Sequence, residues 1–531
     1  MSEKEYIVTL NKGVDYAQFN QEMIASTGGG DIPNRTVDVA DARPGSARNT
    51  HYALTDEEVT TLKNDPRVLD IAIPPDQDDS LEIGITTRTD AIFYKGTSDS
   101  GQYVDWGKRR HSIQQETATW STSLSGSYDY ALDGTGVDVV IQDSGLQVDH
   151  PEFTDHNGNS RVMQIDWAAE SGLSFTQASN HYEDRDGHGT HVAGTAAGKT
   201  FGWAKGARIY SVKVSGLEYS GGGGIAVSNV FDCIKLWHRN KPVDPITGKK
   251  RPTIINASWG YSAGLGSSTN ITSISYRGST YSSSNDSSWA SNLASGSAGR
   301  AHMLATYGLY PYLTNSGYRV PVRVTSVDTD VQELIDEGVH VCIAAGNNSF
   351  KVDVSGGDDY NNIVFFSGSN RAYHRGSSPY SDEAFMVGSL LAQSSPSDSK
   401  VSFSSTGPGV DIYAAGDEIT STFSNSNRYN DAAYWGDSNF RQGNIQGTSM
   451  ASPQVCGVGA MYLQANPGLS PAELRTMIHN DCFIGMPAGT LTGYSDTSTV
   501  IGGPRRVMVH RYANRIPFSS TASGKYSIRS K

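Results

Sequence analysis

Gly447-Thr448-Ser449-Met450-Ala451-Ser452-Pro453 places a serine hydroxyl directly after a glycine turn, at the mouth of a helix built from small residues. A serine hydroxyl is a poor nucleophile at neutral pH; it needs a base within hydrogen-bond reach, and the base needs an orienting partner. Both lie upstream. His188 stands in Asp186-Gly187-His188-Gly189-Thr190-His191-Val192-Ala193-Gly194, and Asp143 ends the apolar run Val139-Val140-Ile141-Gln142-Asp143-Ser144-Gly145. Ser449 alone reads as a turn residue. With His188 and Asp143 it reads as nucleophile, general base and orienting carboxylate, in the chain order Asp, His, Ser. Gly187 and Gly189 let the backbone pass close to the imidazole, and Gly447 admits the tight turn. Pro453 is expected in the first helical turn, where a missing N–H costs little. His191 and His150, the latter in His150-Pro151-Glu152-Phe153, read as structural.

These motifs, together with Ala344-Ala345-Gly346-Asn347-Asn348, resemble the subtilisin-like serine proteases from about Trp106 to about Cys482. The resemblance implies a three-layer α/β/α fold around a mainly parallel sheet, and a serine endopeptidase working through an acyl-enzyme. It puts Asn347 in the oxyanion hole beside the Ser449 backbone N–H. It implies that an extended polypeptide substrate pairs with Ser258, Trp259 and Gly260 on one side and Ser220, Gly221 and Gly222 on the other. Ala344, Ala345, Gly346 and Gly260 would wall a mainly apolar pocket for the side chain before the scissile bond (P1), so large apolar or aromatic P1 residues are expected. Trp259 departs from the smaller aliphatic residue usual there. Local motifs lean towards the proteinase K branch, although Leu391 stands where that branch has a calcium-binding Asp, and Val192 where it has a cysteine. No cofactor is expected. Calcium near Asp353, Asp358 and Asp359 is a weaker expectation than a solvated acidic loop.

The rest of the chain is consistent with that reading. It has 531 residues, enough for a large core and an accessory unit, with 57 glycines and 18% charged residues. A net charge of −13 without a basic run argues against a nucleic-acid partner. No apolar stretch is long enough to cross a membrane, so no membrane partner is expected. The first residues lack the apolar run of a secretory leader, which leaves cytoplasmic, virion-associated and otherwise exported readings open. Cys233, Cys342, Cys456 and Cys482 have no metal or redox spacing and read as free thiols.

Residues 1–78 read as a small α+β, ferredoxin-like unit: a strand at Tyr6–Leu10, a helix over Asp15–Ala25 with Phe19 and Met23 on one face, a capping box at Thr55/Glu58 opening a helix with Val59 and Leu62, and a returning strand at Val68–Ile73. This pattern resembles an inhibitory propeptide, making the chain's own N-terminus a partner of the site. Residues 79–105 read as an irregular connector. Residues 106–485 form the catalytic domain, with β-branched strand runs at Val137–Ile141, Ile209–Val214, Ile254–Ala257, Val339–Ala345 and Phe385–Gly388, and helical spacing at Ala226–Trp237 and Val331–Glu337. Two insertions, about 261–330 and 350–380, are expected as long loops bordering the cleft. The extension 486–531 contains an expected strand near Val507–Tyr512. The leading expectation is a self-processing zymogen. The alternatives are a scaffold or virion-type protein using the fold for binding or limited self-cleavage, and an esterase or acyltransferase, which a triad alone does not exclude.

Overall fold

The computed structural model describes residues 3–25, 27–84, 106–112, 130, 132–245, 248–265, 271–289, 298–309, 312–314, 317–392, 398–489 and 500–510. The apolar runs form the centre of an eight-stranded sheet in the order Phe483–Ile484, Arg506–Val507, Ile412–Ala415, Phe385–Leu390, His340–Ala344, Thr253–Ala257, Asp138–Asp143, Arg208–Lys213. Neighbours are parallel except for the first pair, which is antiparallel. Strands buried on both faces need no polar alternation, and Asp138–Asp143, Thr253–Ala257 and His340–Ala344 are buried throughout.

Helices cover both faces. Consecutive residues of a strand point to opposite sides. On the strand Thr253–Ala257, the Thr253 hydroxyl meets His238 of the helix Val227–Asn240. Its neighbour Ile254 reaches instead towards Gly459 of the helix Thr448–Ala465. These two helices therefore lie on opposite faces, which makes the three layers. Among the described residues, no helix is long and apolar enough to cross a membrane.

The N-terminal unit has a hydrophobic cluster of its own, including Phe19, Met23, Tyr52, Leu54, Val59 and Leu62. The helix Tyr16–Met23 starts on an Asp15 cap, and Thr55 and Glu58 form the expected capping box before Asp56–Leu62. Its antiparallel sheet runs Val39–Asp41, Asn49–Leu54, Lys4–Leu10, Val68–Ala72, the ferredoxin-like order. The unit seats on the helices Val227–Asn240 and Thr325–Asp336 through a buried cluster. Arg43, 1% exposed, reaches Asp232 at 3.1 Å and Asp330 at 2.9 Å, and Asn49 donates to Asp330 at 2.8 Å.

Three expectations change here. The connector is not irregular throughout: Leu81–Gly84 is a strand, paired antiparallel with Gly260–Gly264. The insertions are not open loops. Ile271–Tyr276 and Ser279–Tyr281 from the first join Ile363–Phe366 and Ser369–Ala372 from the second in one antiparallel sheet, and Tyr307 gathers Tyr276, Tyr281 and Trp289 around it. Two further strands of the first insertion, Tyr312–Thr314 and Gly317–Pro321, add to the free edge of Gly260–Gly264. The expected terminal strand is confined to Arg506–Val507, and residues 511–531 lie outside the described ones.

Candidate active site

Parallel sheets gather chemistry at the carboxyl ends of their strands, where the loops emerge. Asp143 is the last residue of its strand, Ser258 follows Thr253–Ala257 directly, and Asn347 lies three residues past His340–Ala344. His188 opens the helix His188–Ala197 and Ser449 lies in the first turn of Thr448–Ala465.

His188 Nδ1 lies 2.7 Å from Asp143 Oδ1, both side chains fully buried. The Asp143 oxygen also accepts the Ser144 N–H at 2.8 Å. This approach needs Gly189: a Cβ there would lie 2.2 Å from the Gly145 carbonyl oxygen and 3.1 Å from Asp143 Cβ. His188 Nε2 has no hydrogen-bond partner among the described residues. The Ser449 hydroxyl donates to the Ser258 carbonyl at 3.2 Å rather than to that nitrogen.

Asn347 is fixed through its carbonyl oxygen, which accepts the Thr448 N–H at 2.8 Å and the Thr448 hydroxyl at 2.7 Å. Its buried Nδ2 is left without a partner among the described residues. An unpaired buried amide is costly unless something is meant to meet it. The Ser449 N–H belongs to a helical first turn and has no intrahelical acceptor.

Two positioning features escaped the sequence reading. Asp184, 3% exposed, accepts the Ser144 hydroxyl and the backbone N–H groups of Asp186, Gly187 and Thr190, tying the Asp143 loop to the His188 helix. Its signal was an acidic residue four positions before a helix-opening histidine, a capping-type arrangement. Pro453 lies in the second turn, not the first, and so removes the donor that would bond the Ser449 carbonyl. The Ser258 hydroxyl takes that carbonyl at 3.0 Å; Asn256 donates to Ser258 Oγ at 2.8 Å and accepts Ser452 Oγ at 2.7 Å.

A sequence profile of the subtilase family matches residues 134–499, more than half of the chain. The chain belongs to the subtilase family. This subtilase is 25% identical over 431 residues to the extracellular serine proteinase of Thermus sp. (strain Rt41A), covering 81% of this chain and 70% of that protein. It is 26% identical over 425 residues to the alkaline serine exoprotease A of Vibrio alginolyticus, covering 80% of this chain and 53% of that one. It thus spans from about half to seven-tenths of these relatives. The crystal structure of fervidolysin from Fervidobacterium pennivorans, a keratinolytic enzyme related to subtilisin, matches its fold with a TM-score of 0.50 at 18% identity, covering 98% of this chain and 62% of that one.

The subtilase's cleft beside Ser449 brings together Ser258, Trp259, Gly260, Ala344, Ala345 and Gly346. Both insertions add to its wall, the first through Pro321 and the second through Gly376 and Ser377. Among the described residues, no charged side chain lines it. Trp259 is buried against Phe231 and Tyr261. Ser220, Gly221 and Gly222 are not in this lining. They sit on an exposed loop held by Asn180, which donates to the Gly221 carbonyl at 2.9 Å. Gly216 approaches Leu81–Gly84: a Cβ there would lie 2.4 Å from Ile83 Cγ2.

The two histidines read as structural are held by backbone carbonyls: His191 Nε2 lies 3.1 Å from Ile419 O and His150 Nε2 3.0 Å from Arg441 O. Burial, with His188 nearby, pushes His191 down to about 3, so it stays neutral. Cys342 and Cys456 are buried free thiols; burial, and the Cys456 thiol beside it, push Cys342 well above the ordinary thiol range. The acidic loop near Asp353 is not solvated throughout: Asp358 is exposed, but Asp353 and Asp359 are buried, with the Lys351 ammonium 3.0 Å from Asp353 and 2.7 Å from Asp359, and Arg277 of the first insertion 2.8 Å from Asp359.

Proposed function

We propose that this subtilase is a serine endopeptidase that hydrolyses peptide bonds through Asp143, His188 and Ser449 and is made as a self-processing zymogen. The observation that carries the reading is the Asp143–His188 pair at 2.7 Å, with the outer imidazole nitrogen and the Asn347 amide both buried and unpartnered among the described residues. Ser449 turns from the Ser258 carbonyl to His188 Nε2, which takes its proton as the hydroxyl attacks the scissile carbonyl. Asp143 holds the imidazole tautomer and stabilises the imidazolium. The tetrahedral oxygen is met by Asn347 Nδ2 and the Ser449 N–H, donors already in place before the charge develops. His188 then protonates the leaving amine, and water releases the acyl group by the same route in reverse.

The zymogen half rests on Leu81–Gly84. Substrate bound by strand addition gains affinity from backbone pairing and selectivity from pockets. The pairing of this segment with Gly260–Gly264 supports such a place for it: Gly84 stands opposite Gly260, two residues from Ser258, the residue against Ser449. Residues 1–78 then act as the inhibitory partner, and the bond to be cut lies a few residues past Gly84. The uncharged cleft wall supports apolar P1 residues. Labelling with a fluorophosphonate tests the chemistry: Ser449 is expected to be labelled in the wild type and the label lost in His188→Ala. Equal labelling of both proteins would refute the assigned roles.

A further inference from the structure

The strand Gly260–Gly264 is paired on both edges. On one side is Leu81–Gly84, in the place read above as the substrate's; on the other is Gly317–Pro321, from the first insertion. Arg319 belongs to the insertion strand and is 7% exposed at its side chain. Its guanidinium reaches across the middle strand, donating to the Ser262 hydroxyl at 2.8 Å and the Ser262 carbonyl at 3.0 Å. It ends 3.1 Å from the carboxylate of Glu82, the residue directly opposite Ser262. Glu82 is the acidic group Arg319 meets among the described residues. Leu81 and Ile83 turn the other way and pack on the core.

We propose that Arg319 forms an acidic-residue subsite on the non-primed side of the cleft. It selects polypeptide substrates carrying Glu or Asp two residues before the position that pairs with Gly260. A nearly buried guanidinium loses its counter-charge when the Leu81–Gly84 strand leaves. An incoming strand with a carboxylate in that register restores the pair, whereas one with a cation there is repelled. The register is fixed by backbone pairing, and a slip of one residue turns the carboxylate to the other face. The insertion thus gives this chain a contact that reaches well beyond the P1 pocket. The proposal rests on Leu81–Gly84 standing where substrate binds.

The test uses the full chain, its active sites counted by fluorophosphonate titration, and internally quenched peptides with the sequence of residues 79–90. One peptide keeps Glu at the place of Glu82, one has Lys there, and one is scrambled. The wild type is expected to cleave the Glu peptide with kcat/KM about fivefold above the Lys peptide, the scale of a half-exposed ion pair. The ratio is expected to shrink in 1 M salt and to reverse in Arg319→Glu. Equal kcat/KM for the Glu and Lys peptides in the wild type, with both above the scrambled one, overturns the Arg319 subsite and leaves the groove assignment standing. Cleavage of all three at the same rate overturns the groove assignment and the subsite with it. The wild-type comparison needs no variant, so a misfolded Arg319→Glu does not decide the outcome.

Discussion

Pro453 lies one helical turn beyond Ser449 and leaves the Ser449 carbonyl free for Ser258, whose hydroxyl donates to it at 3.0 Å. The helix gives up one internal hydrogen bond and gains a tie to Ser258, so one residue touches the candidate nucleophile and also lines the cleft. Ser258→Ala, examined in a Ser449→Ala background to prevent self-digestion, leaves a buried carbonyl without a donor. It is expected to cost about 1–3 kcal/mol in denaturant unfolding. A loss below about 0.5 kcal/mol, the ordinary scale of surface changes, would show that the tie carries no weight.

Asn347 has two separable jobs. Its oxygen holds Thr448, and its nitrogen is a donor without a partner among the described residues. Asn347→Asp keeps the first and removes the second, so folding is expected to persist while kcat falls about 10²- to 10³-fold, the scale of losing such a donor in a subtilisin. KM is expected to change little. A kcat within threefold of wild type would remove Asn347 from the oxyanion hole.

Arg43 is buried between Asp232 and Asp330 at the seat of the N-terminal unit. Removing one partner of a buried pair strands the other charges, at about 3–5 kcal/mol. Arg43→Met in a Ser449→Ala background is therefore expected to loosen residues 3–84 selectively. Hydrogen exchange should show faster exchange there than in the eight-stranded sheet. Unchanged protection of that unit would mean that the seat depends on other contacts.

Burial alone would raise the Asp359 carboxyl, but hydrogen bonds from Arg277 and Lys351 outweigh it and hold the group well below the ordinary carboxylate range. A carboxylate depressed in the folded state contributes stability above its unfolded pKa of about 3.9 and loses it as pH falls through the folded value. Asp359→Asn is expected to lower Tm clearly at pH 7 and by progressively less below about pH 4. A Tm difference constant from pH 7 to pH 3 would contradict this assignment.

Much of the candidate site was legible because its residues sit in short local motifs. Asp143, His188, Asn347 and Ser449 each stand in a run whose glycines and apolar residues fix the local turn, and the core strands announce themselves by continuous β-branched runs. What escaped depends on contacts made far away in sequence. The strand Asn49–Leu54 has no place in the sequence pattern, yet its polar residues Asn49, Thr50 and His51 are buried by pairing and by the seat against Asp330. Leu81–Gly84 becomes a strand only because Gly260–Gly264 offers it an edge. The two insertions look like unrelated Ser- and Tyr-rich loops, yet strands far apart in sequence pair them in one sheet. Ser220, Gly221 and Gly222 sit on an exposed loop, and Gly216, earlier in the same loop, approaches Ile83.

Ser449 is proposed as a nucleophile that opens peptide bonds, its own chain's included. Intact mass and N-terminal sequencing of the purified wild type beside Ser449→Ala test it most directly. The wild type is expected to begin a few residues past Gly84, with everything before the cut released as a separate fragment, and Ser449→Ala to keep its full 531-residue length. Equal full-length masses for the two proteins, or the same cut in both, would contradict it.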